Sequence, residues 1–129
     1  MAGTLVANTI NTDTGLFSTN NAYLGIAKAW VSFNGTSGSP TIYSSFNVSS
    51  VTKSGTGTYI ANFATAFSDT NWSCVIGGKK FDTSNDVNTS FSMGTLSLTN
   101  TTSTCYMCGG DAHGNLKDYT IMSGTWFHN

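Results

Sequence analysis

The clearest hydrophobic pattern in the chain is the alternation over residues 26–34. Apolar side chains occupy one side of an extended segment, and mostly polar ones occupy the other. The two sides are Ala27, Ala29, Val31 and Phe33, and Lys28, Trp30, Ser32 and Asn34. A period of two predicts a β-strand with one face against a core. Trp30 stands among polar neighbours, so it is predicted to pack under a loop, to cover a sheet edge or to contact a partner chain.

Short segments of the same kind recur along the chain, separated by turns rich in glycine, serine and asparagine. They cover residues 41–45, 46–52, 58–63, 72–78, 91–98, 104–108 and 118–127, with a weaker one over 4–10. Residues 46–63 predict a β-hairpin, because Gly55 and Gly57 in its connection can adopt positive φ. No segment has convincing helical periodicity. The chain therefore predicts an all-β fold, an antiparallel β-sandwich of jelly-roll character with about eight strands.

The same segments supply the predicted core. Side chains from three of them are expected to be buried together: Ile42, Tyr43, Phe46, Val48, Val51, Tyr59, Ala61 and Phe63. A length of 129 residues suits one domain. Residues 25–129 are predicted to form a single β-sandwich domain. Residues 1–24 are predicted to form an N-terminal arm with the first strand, lying across this core or across a neighbouring subunit.

Composition and charge exclude several classes of partner. The net charge is −1 and charged residues are 9% of the chain, while aromatic residues reach 12%. Disordered chains usually combine high net charge with few aromatics, so a folded domain is expected. A near-neutral chain gives no electrostatic reason to bind nucleic acid or a membrane surface. The first residues lack the basic and apolar regions of a secretion signal, so synthesis in a cytoplasm is expected.

Three cysteines and two histidines are the residues most able to carry chemistry. Cys105 and Cys108 have a Cys-x-x-Cys spacing, but their flanks predict a strand and a turn rather than the helix start of a redox pair. Buried or idle thiols are expected, and the alternative is a metal site that also uses Cys74, His113 and Asp111. We expect no cofactor.

The acidic residues do not predict a catalytic pair. All six are aspartates, and they fall in predicted loops or at strand ends, where aspartate commonly caps a turn. His113 lies in a glycine-flanked loop, and the abundance of serine makes any Ser-His proximity uninformative. Residues 79–88 are predicted to be an exposed loop, and Asp82–Asp86 to be a solvated turn rather than a calcium loop. We therefore do not expect an enzyme.

One ordered set of segments resembles a known family. It consists of Gly25–Thr36, Ser45–Thr52 and Gly55–Phe63. In this order they resemble a small β-sandwich domain of phage virion proteins, found in tail fibres and in head-decorating proteins, and the match is best over residues 25–76. The resemblance implies a trimer-forming, structural or adhesive protein on the surface of a virus particle, made in the cytoplasm of a bacterial host. It brings no catalytic residue.

The resemblance leaves two functions open. No shaft, collagen-like repeat or heptad run precedes the motif at residue 25, so we expect a capsid decoration or cement protein on the head. Its partners would be two further copies of itself and the major capsid protein, with Trp30, Trp72 and Trp126 as expected contacts. The alternative is a tail-fibre or fibre-tip adhesin, attached to tail proteins, that binds a bacterial surface glycan. The loops after Phe81 and around His113 would then supply polar groups.

Overall fold

The computed structural model describes residues 3, 6, 9–12, 15–79, 89–93, 99–111 and 113–128. In chain order its elements are β1 (Thr9–Thr12), β2 (Gly15–Ser18), α1 (Thr19–Gly25), β3 (Ala29–Asn34), β4 (Thr41–Phe46), β5 (Val48–Gly55), β6 (Thr58–Phe63), β7 (Ser73–Lys79), β8 (Thr89–Met93), β9 (Thr104–Asp111) and β10 (Ile121–Phe127). The segments predicted over 80–88 and 94–98 lie outside the described residues. So does most of the weak strand predicted over 4–10, of which β1 includes only the end.

Eight of the strands form two four-stranded sheets, and every pairing within them is antiparallel. The front sheet has the order β4-β3-β10-β7, and the back sheet has the order β5-β6-β9-β8. The chain passes between sheets after β4, β6, β7 and β9. The predicted all-β sandwich of eight strands is confirmed. β1 and β2 pair in a separate hairpin.

The core lies between the two sheets and is built by strand alternation. Ala29, Val31 and Phe33 point inward from β3, as predicted, because successive side chains of a strand lie on opposite faces. Tyr59, Ala61 and Phe63 point inward from β6, and are likewise buried as predicted. The Phe33 and Tyr59 rings meet edge to face at 5.1 Å, so each sheet contributes one ring to the same contact.

A buried polar network fixes one end of the sandwich. The Asp118 carboxylate accepts hydrogen bonds from the Gly57 N–H at 2.8 Å, the Tyr59 hydroxyl at 2.7 Å and the Lys53 ammonium at 2.7 Å. Burial opposes ionisation of Asp118, but these three donors outweigh it and hold its pKa below the usual value. Burial and the neighbouring Asp118 raise the pKa of Tyr59. Gly57 has a φ of 64°, as predicted for this hairpin connection, whereas Gly55, for which the same was predicted, does not adopt a positive φ.

The structure differs from the sequence-based expectation at residues 19–25, which form the short helix α1. The segment Thr19-Asn20-Asn21 has the composition of a turn, but Thr and Asn are also the residues that cap a helix start. Gly25 ends the helix, as glycine commonly does. The expectation that no helix forms is therefore wrong for these seven residues.

Two side chains of β4 also differ from the expectation. Tyr43 and Phe46 are exposed, although burial was predicted, whereas Ile42 packs against the core. The pairing of β4 with β3 has a bulge between Ser32 and Phe33, which shifts the alternation along this edge strand. Asn47 then adopts a φ of 52°, and the chain leaves for the back sheet.

Candidate functional site

The outer face of the front sheet carries an apolar row that crosses all four strands. Register places Phe46 of β4 opposite Trp30 of β3, Trp30 opposite Thr125 of β10, and Thr125 opposite Val75 of β7. The exposed fractions are 55% for Phe46, 37% for Trp30 and 67% for Val75. Side chains directly opposite each other on one face lie about 5 Å apart, so these residues form one continuous strip. We call this strip the front-face row.

The row next to it is small and polar. Ser44, Ser32, Ser123 and Gly77 oppose one another across the same four strands. The Tyr43 hydroxyl donates to the Thr120 carbonyl at 3.3 Å, so its ring reaches across β3 along this face. Neither row contains a charged residue. A flat surface of this kind can be covered by another protein without desolvating an ion.

The tryptophans predicted as partner contacts occupy two environments. Trp30 lies in the front-face row, in keeping with its place on the polar side of β3. Trp126 is 0% exposed and Trp72 is 7% exposed, and both pack against Phe63, with ring centroids at 5.2 Å and 6.2 Å. Trp126 fits because Gly124 has no side chain: a Cβ there would lie 2.6 Å from the indole. Rings buried in this way offer little surface to a partner, and a partner contact by Trp30 stays a prediction.

Phe46, Tyr43 and Val75 were not predicted to belong to this surface. A regular hairpin centred on the loop at residues 35–40 would bring Phe46 opposite Ala29, on the buried side, and the bulge shifts it by one residue to face Trp30. The bulge that follows Ser32 cannot be foreseen from a single sequence. Val75 follows from alternation alone, since its neighbours Cys74 and Ile76 pack against the core.

The cysteines are buried within the sandwich or half-buried at its wall. Cys105 and Cys108 lie inside β9, and burial raises the pKa of Cys108. A hydrogen bond with Cys105, together with burial, raises the pKa of Cys74. Within the described ranges no three histidine, cysteine or acidic side chains are close enough to hold a metal ion. The expectation of buried thiols is confirmed for Cys105 and Cys108.

The loop around His113 is held together by Asp111. Its carboxylate accepts hydrogen bonds from the His113 N–H at 3.0 Å, and from the backbone N–H of Asn115 at 2.9 Å and its side-chain amide at 3.0 Å. These bonds to Asn115 are the main reason that the pKa of Asp111 is lowered. Asp111 is therefore occupied in closing a turn.

A second histidine lies at the opposite end of the front sheet. His128 Nε2 is 3.1 Å from Asp69 Oδ1 and 3.4 Å from Ser68 Oγ, and its ring stacks on Phe67 at 5.3 Å. In a Ser-His-Asp triad the serine and the aspartate contact different ring nitrogens. Here both contact the same nitrogen. The arrangement therefore lacks the geometry of a triad, in which histidine takes the serine proton through one ring nitrogen while the aspartate holds the other.

His128 also lines a pocket of about 290 Å³. The other lining residues are Tyr23, Lys28, Asn47, Thr65, Ala66, Phe67 and Ser68. They come from the end of α1, the approach to β3, the β4–β5 junction and the loop after β6. We call this cavity the Lys28 pocket. None of its lining residues is acidic.

Comparison of the chain with protein-family models, with curated proteins and with solved structures found no match. Its one described helix, α1, is too short to cross a membrane.

Proposed function

We propose that this chain is a structural protein of a bacteriophage virion, which assembles as a trimer and decorates the surface of the head. The front-face row carries the proposal. Phe46 and Trp30 are adjacent exposed apolar side chains, Val75 lies beyond Thr125 in the same uncharged row, and exposed apolar surface on a small domain marks an interaction site. The resemblance of residues 25–76 to a phage virion domain supports the same conclusion.

The size of the front sheet limits how much of an interface it can supply. Four strands about 4.8 Å apart and six residues about 3.3 Å each give a face of roughly 400 Å². A standard interface buries about 800 Å² on each partner. The sheet face therefore supplies about half of one subunit's share. Loops at its rim and the N-terminal arm are the surfaces available for the remainder and for the capsid protein.

The trimer is tested by measuring the mass of the purified chain with light scattering. A mass of three times 13.6 kDa supports the proposal. The variant Trp30→Ala should shift the population toward the monomer. Thr52→Ala, on the outer face of the back sheet, is the matched control and should leave the mass unchanged. A wild-type chain that stays monomeric at millimolar concentration would contradict the trimer.

The place on the particle is tested by a cryo-electron microscopy reconstruction of the purified virion. Density of this chain at capsid symmetry axes, in hundreds of copies, is expected. Density confined to the tail would replace decoration with the second candidate, an adhesin. That candidate is favoured by the Lys28 pocket, because a surface glycan needs a cavity with hydroxyl and aromatic groups.

A further inference from the structure

The Lys28 pocket is open to solvent and is shaped before any ligand arrives. The Asn47 side chain lines the pocket and holds its two sides together. The Asn47 amide nitrogen donates to the Lys28 carbonyl at 3.2 Å and to the Thr65 carbonyl at 3.1 Å. Its amide oxygen accepts the Thr65 N–H at 2.7 Å. These bonds tie the approach to β3 to the loop after β6. A pocket fixed in this way loses little conformational entropy on binding.

The electrostatics of the pocket favour an anion. Lys28 is the only lysine or arginine that lines the pocket, and no acidic residue lines it. Its ammonium donates to the Tyr23 carbonyl and lies 3.3 Å from the centroid of the Tyr23 ring. An ammonium has three donors, and among the described residues only that carbonyl is its acceptor. Asp69, which contacts the lining residue His128, is outside the lining and also accepts a hydrogen bond from the Asn71 N–H.

The remaining groups suit a ligand with hydroxyls and an apolar ring face. Ser68 and Thr65 bring hydroxyls, His128 brings a ring nitrogen, and Tyr23 brings an exposed ring. A volume of about 290 Å³ is at the lower end of the range for small-molecule sites, about 300–1,000 Å³. It therefore suits one sugar residue rather than a peptide.

We infer that the Lys28 pocket binds a saccharide residue that carries a carboxylate, such as a uronic acid at the end of a surface polysaccharide. The Lys28 ammonium pairs with the carboxylate, and Ser68, Thr65 and His128 contact the hydroxyls. This inference holds whether the chain decorates the head or the tail.

The test is a titration of the isotopically labelled full chain, followed by amide chemical shifts. Three probes separate the contributions: methyl β-D-glucuronide, methyl β-D-glucoside, which lacks the carboxylate, and acetate, which lacks the sugar. Saturable shifts centred on residues 28 and 65–68 with the glucuronide, and much weaker ones with the other two, are expected. Equal binding of the glucoside, equal binding of acetate, or no saturation up to about 50 mM glucuronide would each overturn the inference.

Variants assign the binding to named groups. Lys28→Gln should weaken glucuronide binding roughly tenfold, because it removes a charge-assisted hydrogen bond, whereas Lys28→Arg should retain most of it. Ser68→Ala should weaken binding by a smaller factor without touching the Lys28–Tyr23 contact. Lys79→Gln removes the same charge at the other end of the front sheet and serves as the control. Unchanged affinity in both Lys28→Gln and Ser68→Ala contradicts the assignment.

Discussion

The outer faces of the two sheets differ in the side chains that they expose to solvent. On the back sheet, Asn62 lies between Ser50 and Thr104 in register, and its amide donates to the Ser50 hydroxyl at 3.0 Å and the Thr52 hydroxyl at 3.3 Å. On the front sheet, the front-face row consists of Phe46, Trp30, Thr125 and Val75. These polar side chains of the back face bond to one another, whereas the front-face row keeps apolar area exposed.

The two faces are therefore expected to contribute to different properties: the back face to the stability of the folded chain, and the front face to self-association. The Asn62, Ser50 and Thr52 side chains of the back face gain little from a partner, because they already bond to one another. Covering the front face with a partner removes apolar area from water. This stabilises the complex by about 25 cal/mol for each Å² buried. The comparison therefore predicts that substitutions on the two faces, and in the core between them, affect different measurements.

The largest effect is expected from the same substitution at an inner and an outer tryptophan. Trp126→Ala removes a fully buried ring that packs on Phe63, so it should lower the free energy of unfolding by about 3–5 kcal/mol. Trp30→Ala should lower the free energy of unfolding by well below half of the loss in Trp126→Ala, because the Trp30 ring is partly exposed. Chemical denaturation of the two variants measures both. Equal losses would remove the distinction between core and partner surface.

A smaller effect is expected at the Asp118 network, which belongs to neither face. Asp118→Asn removes the carboxylate that accepts from the partly buried Lys53 and from the Tyr59 hydroxyl. It should lower the free energy of unfolding by about 2–3 kcal/mol. Tyr59→Phe, which deletes one of the donors alone, is the milder control. Urea denaturation at pH 7 gives both values.

The network also fixes the sign of the pH dependence. The pKa of Asp118 is lower in the folded chain than its ordinary value near 3.9. The stability that Asp118 contributes is therefore present above about pH 4 and is lost as the pH falls through the folded pKa. The loss of melting temperature between pH 5 and pH 2 should be smaller in Asp118→Asn than in the natural chain. A loss of the same size would assign the acid sensitivity to other carboxylates.

The front face itself is tested by a pair of polar substitutions. Phe46→Ser with Val75→Ser should weaken self-association at least about tenfold, since loss of central apolar contacts costs 1–2 kcal/mol or more. Both side chains are mostly exposed, so the melting temperature of the monomer should change little. Sedimentation equilibrium measures the association. An unchanged constant would move the oligomer contact away from this face.

The smallest effect is expected on the back face. Asn62→Ala deletes the amide that joins Ser50 and Thr52, and should cost about 0.5–1.5 kcal/mol of stability. Its association constant should match that of the natural chain. A change in association there would show that the back face, too, takes part in assembly.

The sequence predicted the parts of this fold that depend on local alternation. The inward sides of β3 and β6 and the hairpin of β5 and β6 follow from period two and from Gly57, so they are found as predicted. The exposure of Tyr43 and Phe46 depends on a bulge and on an edge position, which are tertiary properties. The helix α1 was missed because Thr and Asn favour turns and helix starts alike.

The candidate sites were less predictable for the same reason. The front-face row joins strands that are far apart in sequence, and only their register shows that Trp30 and Val75 share a strip. The Lys28 pocket combines residues 23 and 28 with 65–68 and 128, which no motif connects. Neither set has a spacing that a single sequence could reveal.

The bulge between Ser32 and Phe33 has a consequence for how many copies can join. A flat edge strand can pair with the edge of another molecule, and repetition of that contact gives an open fibre. The bulge lies where β4 forms the exposed edge of the front sheet, and bulges twist an edge away from such pairing. In the proposed trimer, contacts would then fall on the face of the sheet, where a closed ring of three copies can form. The edge strand β5 of the back sheet carries two register shifts as well, so an edge of each sheet is interrupted against open-ended pairing.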